Sequence, residues 1–544
     1  MLTVAVTAAA QAKHEIRAVW LTTLGGLDWP TTKATSPERM EMQKRELIEI
    51  LDRLKAANFN TVLFQARIRG DVAYRSDIEA FSEAFTGQYG KDPGYDPLAF
   101  ALEECHKRGM ELHAWVIAIP IGNDSHVRHL GSRHVVRQHP SICKKYHNTW
   151  YLDPGNPATD DYLASIVREI VSRYDIDGIH LDYIRYPEHS HKFPDKATYK
   201  KYGGRQETGQ WRRDNISRIV ARVHAETKAL KPWVKVSSSP VGKHRDLPRY
   251  SSVGWNAYEI VSQDAQHWLE AGIQDVLFPM MYFQDNQFYP FALDWQENSH
   301  GRFVVPGLGI YFLDPREGKW KVDEVVRQLH FLREIKADGQ AYFRNRFLMD
   351  NVQGLMTEIE LNVYTHPAVW PPMTWLDSIP PTTPSSPSLS FGGDGMTSLR
   401  WSASTDNSEP YQVSYRIYAS DSYPVDIDRA ENIVADRVGD TRFSFTPRVP
   451  WQQRTYWAVT AVDRYGNESK ALEMNVPRVE GVEVLESIPA PPEGGMVVIS
   501  DITGREVLRS QSAVGVLERL AEGFYRVSID DGSGSVRPVG VMVK

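Results

Sequence analysis

Asp182 closes a strand-like run, Asp177-Gly178-Ile179-His180-Leu181-Asp182, that leads into Tyr183-Ile184-Arg185-Tyr186-Pro187. Ile179, Leu181 and Tyr183 alternate on one face, with Gly178, His180 and Asp182 on the other. In a parallel strand covered on both sides the second face should also be apolar, so a carboxylate at its far end is costly unless it works or is paired. We read Asp182 as a catalytic carboxylate, suited to acid–base or nucleophilic chemistry. His180, one layer beneath, is expected to orient it or to satisfy a buried partner.

Other strand ends supply further candidates. Gln65 and Arg67 share a polar face, with Arg69 and Asp71 following in a loop; two arginines beside a carboxylate suit an acidic group or a sugar hydroxyl. His113 shares a face with Trp115, and Met280 with Tyr282, after which comes Asp285. Gly307 and Gly309 leave room beside Tyr311, a ring able to stack on a sugar. Trp20 and Arg185 complete the candidate binding set. Bland readings stand beside these: a hydrogen-bonded core histidine at His113, barrel filling at Trp20, Trp115 and Tyr311, and mutual neutralisation of Arg67 and Asp71. No metal ligands at ligand spacing and no cofactor are expected.

The elements that must position these residues alternate between strand and helix from Glu15 to about Trp375. Eight strands are expected: Ile16–Thr22, Thr61–Arg67, Glu111–Ile119, Gly178–Ile184, Lys235–Ser239, Asp275–Phe283, Phe303–Tyr311 and Ala341–Phe347. Helical periodicity marks Leu47–Ala57, Leu98–Arg108, Asp161–Tyr174, Trp211–Leu230 and Val322–Ile335. This is the rhythm of an α/β fold, a (β/α)8 TIM barrel over residues 14–375, whose chemistry sits at the C-terminal ends of its strands. A doubly wound sheet is the alternative, but Thr22-Thr23-Leu24-Gly25-Gly26 lacks the phosphate-binding glycine spacing.

A chain of 544 residues exceeds one core. The formal net charge of -7, without a long basic run, gives no footprint for nucleic acid. Cys105, on a predicted helix, and Cys143, in a predicted loop, imply neither a disulfide framework nor a metal site. Residues 1–13 are apolar and end in small residues, as a signal-peptide remnant or a disordered start would, and no transmembrane segment follows. Export to the periplasm, cell surface or medium is therefore expected. Residues 376–388 read as a proline-rich linker, and two small all-β domains follow, at 389–478 and 479–544.

Several resemblances refine this reading. Glu15–Thr22 with Asp28-Trp29-Pro30, Phe64-Gln65-Ala66-Arg67 with Gly70–Tyr74, and Gly94–Leu98 occur in order, followed by Glu111–Trp115, Leu152–Gly155 and Asp177–Pro187. Together they resemble glycosyl-hydrolase-like family 10, once a domain of unknown function, associated with bacterial cell envelopes. The resemblance implies a (β/α)8 barrel acting on polysaccharide, in particular peptidoglycan glycan, with Asp182 as its catalytic carboxylate. Two departures stand out: Asp182-Tyr183 where many members carry adjacent aspartates, and Pro279-Met280-Met281-Tyr282-Phe283 where Pro-Gln-x-Tyr-Trp is usual. The fourth strand also resembles the motif of family 18 chitinases, with Ile184 at their catalytic glutamate. Trp401 and the run Trp457–Ser469 resemble fibronectin type III domains. Val497–Val507 and Leu520–Val527 look like the C-terminal sorting domains of the Bacteroidetes type IX secretion route, which implies export and surface attachment.

Glycoside hydrolysis needs an acid for the leaving oxygen and a second carboxylate as nucleophile or base. Asp182 takes the second role, and Asp285 is the preferred acid, followed by Glu188 and Asp71. Substrate assistance by an N-acetyl group, with Asp182 orienting the amide and Tyr282 holding its oxygen, is a variant of the same reading. The competing readings are a catalytically inactive carbohydrate-binding barrel of the cell envelope and, more distantly, a metal-dependent deacetylase.

Overall fold

Every residue of the first five barrel strands is buried, which is why they read in the sequence as near-continuous apolar runs. The computed structural model describes residues 11–248, 250, 252, 254–391, 396–408, 412–445, 454–476, 483–485, 487–532 and 536–544. The apolar N-terminal stretch, up to residue 10, lies outside the described residues.

The barrel strands are β1 (Ile16–Leu21), β2 (Thr61–Arg67), β3 (Glu111–Ile117), β4 (Gly178–Asp182), β5 (Lys235–Ser238), β6 (Val276–Leu277, resumed at Met280–Met281), β7 (Phe303–Val304, resumed at Gly307–Leu308) and β8 (Gly339–Tyr342). Each pairs in parallel with the next, and β8 returns to β1, so the sheet closes on itself. The breaks in β6 and β7 contain Pro279 and Pro306, which have no N–H for the ladder. Their carbonyls still accept, from Gly307 N at 2.8 Å and Ala341 N at 3.0 Å, so the barrel stays closed across the breaks.

The long helix in each of the connections after β1, β2 and β3 begins with a cap and a proline. Ser36, Asp96 and Asn156 accept from backbone N–H groups of the first turn, and proline fills the first helical position of Pro37–Ala56, Pro97–Lys107 and Pro157–Arg173. The starts at Pro37 and Pro157 lie several residues before the apolar periodicity begins, and that at Pro97 directly before it. The eighth strand corrects the sequence reading: it ends at Tyr342, and Asn345–Met349 is helical rather than extended. Cys143 opens a short hairpin strand, Cys143–Tyr146, rather than lying in a loop.

The chain divides into two compact units, Met1–Met474 and Asn475–Lys544. In the first, a three-stranded and a four-stranded antiparallel sheet enclose Leu399, Trp401, Ile417, Trp457 and Val459. This β module is fixed to the N-terminal ends of the barrel strands by charge. Arg437 bonds Asp177, just ahead of β4, and lies 3.3 Å from Glu111, the first residue of β3. Glu111 also pairs with Lys235 at 2.9 Å, and Asp177 with His106 at 2.9 Å. The opposite, C-terminal ends of the strands remain available for a site. The second unit is a five-stranded sheet around Val497, Ile499, Val527 and Met542. Among the described residues no helix is long and apolar enough to cross a membrane.

Candidate active site

A cleft of about 730 Å3 opens at the C-terminal ends of the barrel strands, within the size range of small-ligand sites. Asp182 stands on its wall with Gln65, Trp115, Arg185 and Tyr282. Tyr146 and Tyr151, from the hairpin after β3, and Trp255, from the loop after β5, add aromatic surface.

Asp182 is 5% exposed, and both of its carboxylate oxygens are occupied. Oδ2 accepts from Trp115 Nε1 at 3.1 Å; Oδ1 accepts from Ser239 Oγ at 2.9 Å and from the Tyr183 backbone N–H at 2.7 Å. Burial pushes this carboxyl upward from the usual range, while the nearby Arg185 charge and the three donors draw it back. Two of the donors, the indole and the backbone amide, cannot accept and so favour the ionised form, although burial outweighs them and the net shift is upward. The Tyr183 amide reaches Oδ1 because this residue leaves the strand in the left-handed region, at φ +49°. A non-glycine residue held there is a local strain of the kind that gathers at functional sites.

One layer down, His180 does not touch Asp182. Trp20 Nε1, a donor only, reaches His180 Nε2 at 3.2 Å; Nδ1 therefore carries the proton toward Ser237 Oγ at 3.0 Å, which in turn donates to the Ile179 carbonyl at 3.2 Å. Burial, with His113 nearby, holds this imidazole well below its usual range, so it is a neutral, satisfied floor to the site.

The remaining candidates separate by position. Gln65 accepts at Oε1 from the Thr23 and Leu24 amides, fixing the loop after β1 against the cleft. Arg67 is fully buried outside the cleft lining: Glu79 takes its guanidinium in two bonds of 2.7 Å, and the Ile117 and Ala118 carbonyls take the rest. Its partner is thus Glu79, not Asp71. Asp71 lines an adjoining basin of about 570 Å3. Burial alone would raise it, but His126, Ser82 and the Arg69 amide outweigh that and hold it below the usual carboxylate range. His113 lies at the other end of the barrel, 3.0 Å from Glu111 and stacked on Trp370. Asp285 is exposed, at φ +50°, and is not among the cleft-lining side chains, whereas Glu188 is.

The two glycines of β7 and its following loop do leave room, but protein fills it. A Cβ at Gly307 would stand 2.7 Å from the Trp20 ring, and one at Gly309 would stand 2.9 Å from the Tyr282 Cβ. Tyr282 in turn stacks on Phe343, with centroids 5.5 Å apart, and meets Tyr311 edge-on, so Tyr311 supports the cleft ring from behind.

Residues 15–311 match the family described as Glycosyl hydrolase-like 10. Glycosyl hydrolase YngK of Bacillus subtilis (strain 168) is 32% identical over 493 residues, covering 87% of this chain and 95% of that protein. The chain belongs to the glycosyl hydrolase-like 10 family. Glycosyl hydrolase DigH of Escherichia coli (strain K12) is 35% identical over 294 residues, 50% of this chain and 66% of the relative. Among solved structures, the PgaB (BpsB) glycoside hydrolase domain from Bordetella bronchiseptica is similar at a TM-score of 0.45 and 16% identity, over 64% of this chain and 98% of that one.

In this glycosyl hydrolase-like 10 barrel, sequence reasoning passes over several residues in or behind the cleft wall. Ser239 is a polar residue just past the end of β5, detectable by the logic applied to the other strand ends. Tyr183, expected on the strand's apolar face, is 43% exposed and borders the cleft. Trp255 lies in a long loop whose course no local pattern fixes.

Proposed function

We propose that the chain is a secreted glycoside hydrolase that cleaves amino-sugar polysaccharide, in particular peptidoglycan glycan strands. The observation that carries this reading is Asp182: a buried carboxylate at the end of β4, held by donors to both oxygens, on an aromatic cleft wide enough for sugar rings. The names of YngK and DigH, both glycosyl hydrolases, support the reaction class.

In the proposed mechanism Asp182 is the ionised carboxylate that faces positive charge developing at the anomeric carbon, as nucleophile or as base for water. Glu188, exposed on the cleft rim, donates the proton to the leaving oxygen, a role assigned to it in preference to Asp285 because Glu188 borders the cleft. Aromatic faces position the rings. The test is digestion of peptide-free and intact peptidoglycan glycan and of chitin oligomers, with products separated by chromatography. Glu188→Gln should lose turnover on natural glycans and regain it on an aryl glycoside with a good leaving group, which needs no acid. Asp182→Asn should regain none.

A second reading, a carbohydrate-binding barrel without catalysis, draws support from Ile184. This residue is fully buried where the chitinase-like motif would place its acid. Tight glycan binding with no cleavage of any of these substrates would select it.

We further propose that residues 389–478 form a fibronectin type III-like domain and 479–544 a sorting domain for export and surface attachment. The three-plus-four strand arrangement and the separate five-stranded unit support this reading. Fractionation of cells carrying the full chain and a chain ending at residue 474 tests the second assignment.

A further inference from the structure

Arg185 lines the cleft with its guanidinium between two rings, 4.7 Å from the Tyr183 centroid and 4.9 Å from that of Trp255. The residue is only 9% exposed, and its Nε is buried without a hydrogen-bond partner. Among the described residues no carboxylate or carbonyl accepts from this group. Asp182 does not: its oxygens are taken by Trp115, Ser239 and the Tyr183 amide, and no ion pair joins the two side chains. Of the other arginines near the cleft, Arg67 is satisfied by Glu79 and Arg344 by Asp28 and the Leu27 carbonyl, whereas Arg69 is exposed to solvent.

Stacking covers the faces of a guanidinium but leaves the N–H groups on its edge unsatisfied. The one of these donors that is itself buried, Nε, is costly to leave so unless something supplies an acceptor. The planar fork matches a carboxylate in two parallel bonds, and such charge-assisted pairs are about twice as strong as neutral ones. A neutral glycan offers only hydroxyls and amides.

We propose that Arg185 reads a carboxylate carried by a sugar of the bound glycan, next to the bond that Asp182 acts on. The proposal rests on the reading of this cleft as a glycan site. It assigns the substrate class as an acidic amino-sugar polymer, in which the acid is either a lactyl ether or a uronic carboxyl.

The test uses the full chain carrying Asp182→Asn, so that binding is read without turnover, and three tetrasaccharides. These are peptide-free N-acetylglucosamine–N-acetylmuramic acid, the same glycan with its lactyl carboxyls reduced to alcohols, and hyaluronan. The muramyl form should bind about 10- to 100-fold more tightly than the reduced form, the worth of a hydrogen-bonded charge pair. Adding Arg185→Gln should bring that ratio to about 1, and Arg185→Lys should leave it intermediate, with circular dichroism reporting the fold in each case. An Arg185-dependent gain for hyaluronan would place the acid on the ring; a gain for the muramyl form alone would place it on the lactyl ether. Equal binding of the acid and reduced glycans, with no Arg185-dependent gain for hyaluronan, would overturn the proposal while leaving the glycan site standing. Binding of none of the three, with no cleavage by the wild type, would remove the glycan reading and this proposal with it.

Discussion

Trp115 and Asp182 stand on neighbouring strands, and the indole N–H of the first donates to Oδ2 of the second at 3.1 Å. In the β3–β4 register Trp115 pairs with His180, so the ring rises from the layer below to meet the carboxylate above. A donor that cannot accept favours charge on Asp182 and offsets part of the cost of its burial.

Trp115→Phe keeps a ring in place and removes the donor. Because that bond lowers the Asp182 pKa, its loss raises it, and the acidic limb of kcat/KM should move to higher pH. Turnover near neutrality should fall about 10-fold, the low end for a hydrogen bond to a charged group. A pH profile on peptidoglycan glycan checks this; an unmoved limb would detach Trp115 from the chemistry.

Glu79 is 1% exposed and Arg67 is fully buried. Removing one partner of such a pair strands the other, at a cost of about 3–5 kcal/mol. Glu79→Gln should therefore lower the urea midpoint by that equivalent. Were Arg67 a substrate ligand instead, the same variant would raise KM and leave the midpoint nearly unchanged.

Asp338, whose Oδ2 accepts from the Val304 amide at 2.8 Å, is pushed up to about 6 by burial. Its folded pKa lies above its unfolded value. Its share of stability is thus whole below about pH 4 and lost as pH rises through about 6, at most about 3 kcal/mol. Asp338→Asn keeps the acceptor without the charge. The variant should match the wild type at pH 4 and melt at higher temperature at pH 7; the opposite pH order would refute the assignment.

The barrel was legible because buried parallel strands and amphipathic helices leave local marks: apolar runs, and apolar residues at helical spacing. The position of Asp182 followed from one costly carboxylate at a strand end. What surrounds it was less legible, because partners come from residues far apart in the chain. Glu79 reaches Arg67 across a short excursion after β2, and Ser239 approaches from β5. The loop after β6 turns at Asp285 in a left-handed conformation, and that carboxylate remains exposed. Gly307 and Gly309 showed that something needed space, but the occupants are Trp20 and Tyr282, not a substrate.

The most direct measurement is glycan cleavage by Asp182→Asn beside its thermal unfolding. Asparagine still accepts from Ser239 and the Tyr183 amide through its oxygen, so the fold should hold and Tm should change by no more than a few degrees. Turnover of peptide-free peptidoglycan glycan should fall at least about 1,000-fold, as loss of a group acting in the transition state requires. Turnover within about 3-fold of wild type, in a folded variant, would contradict the account.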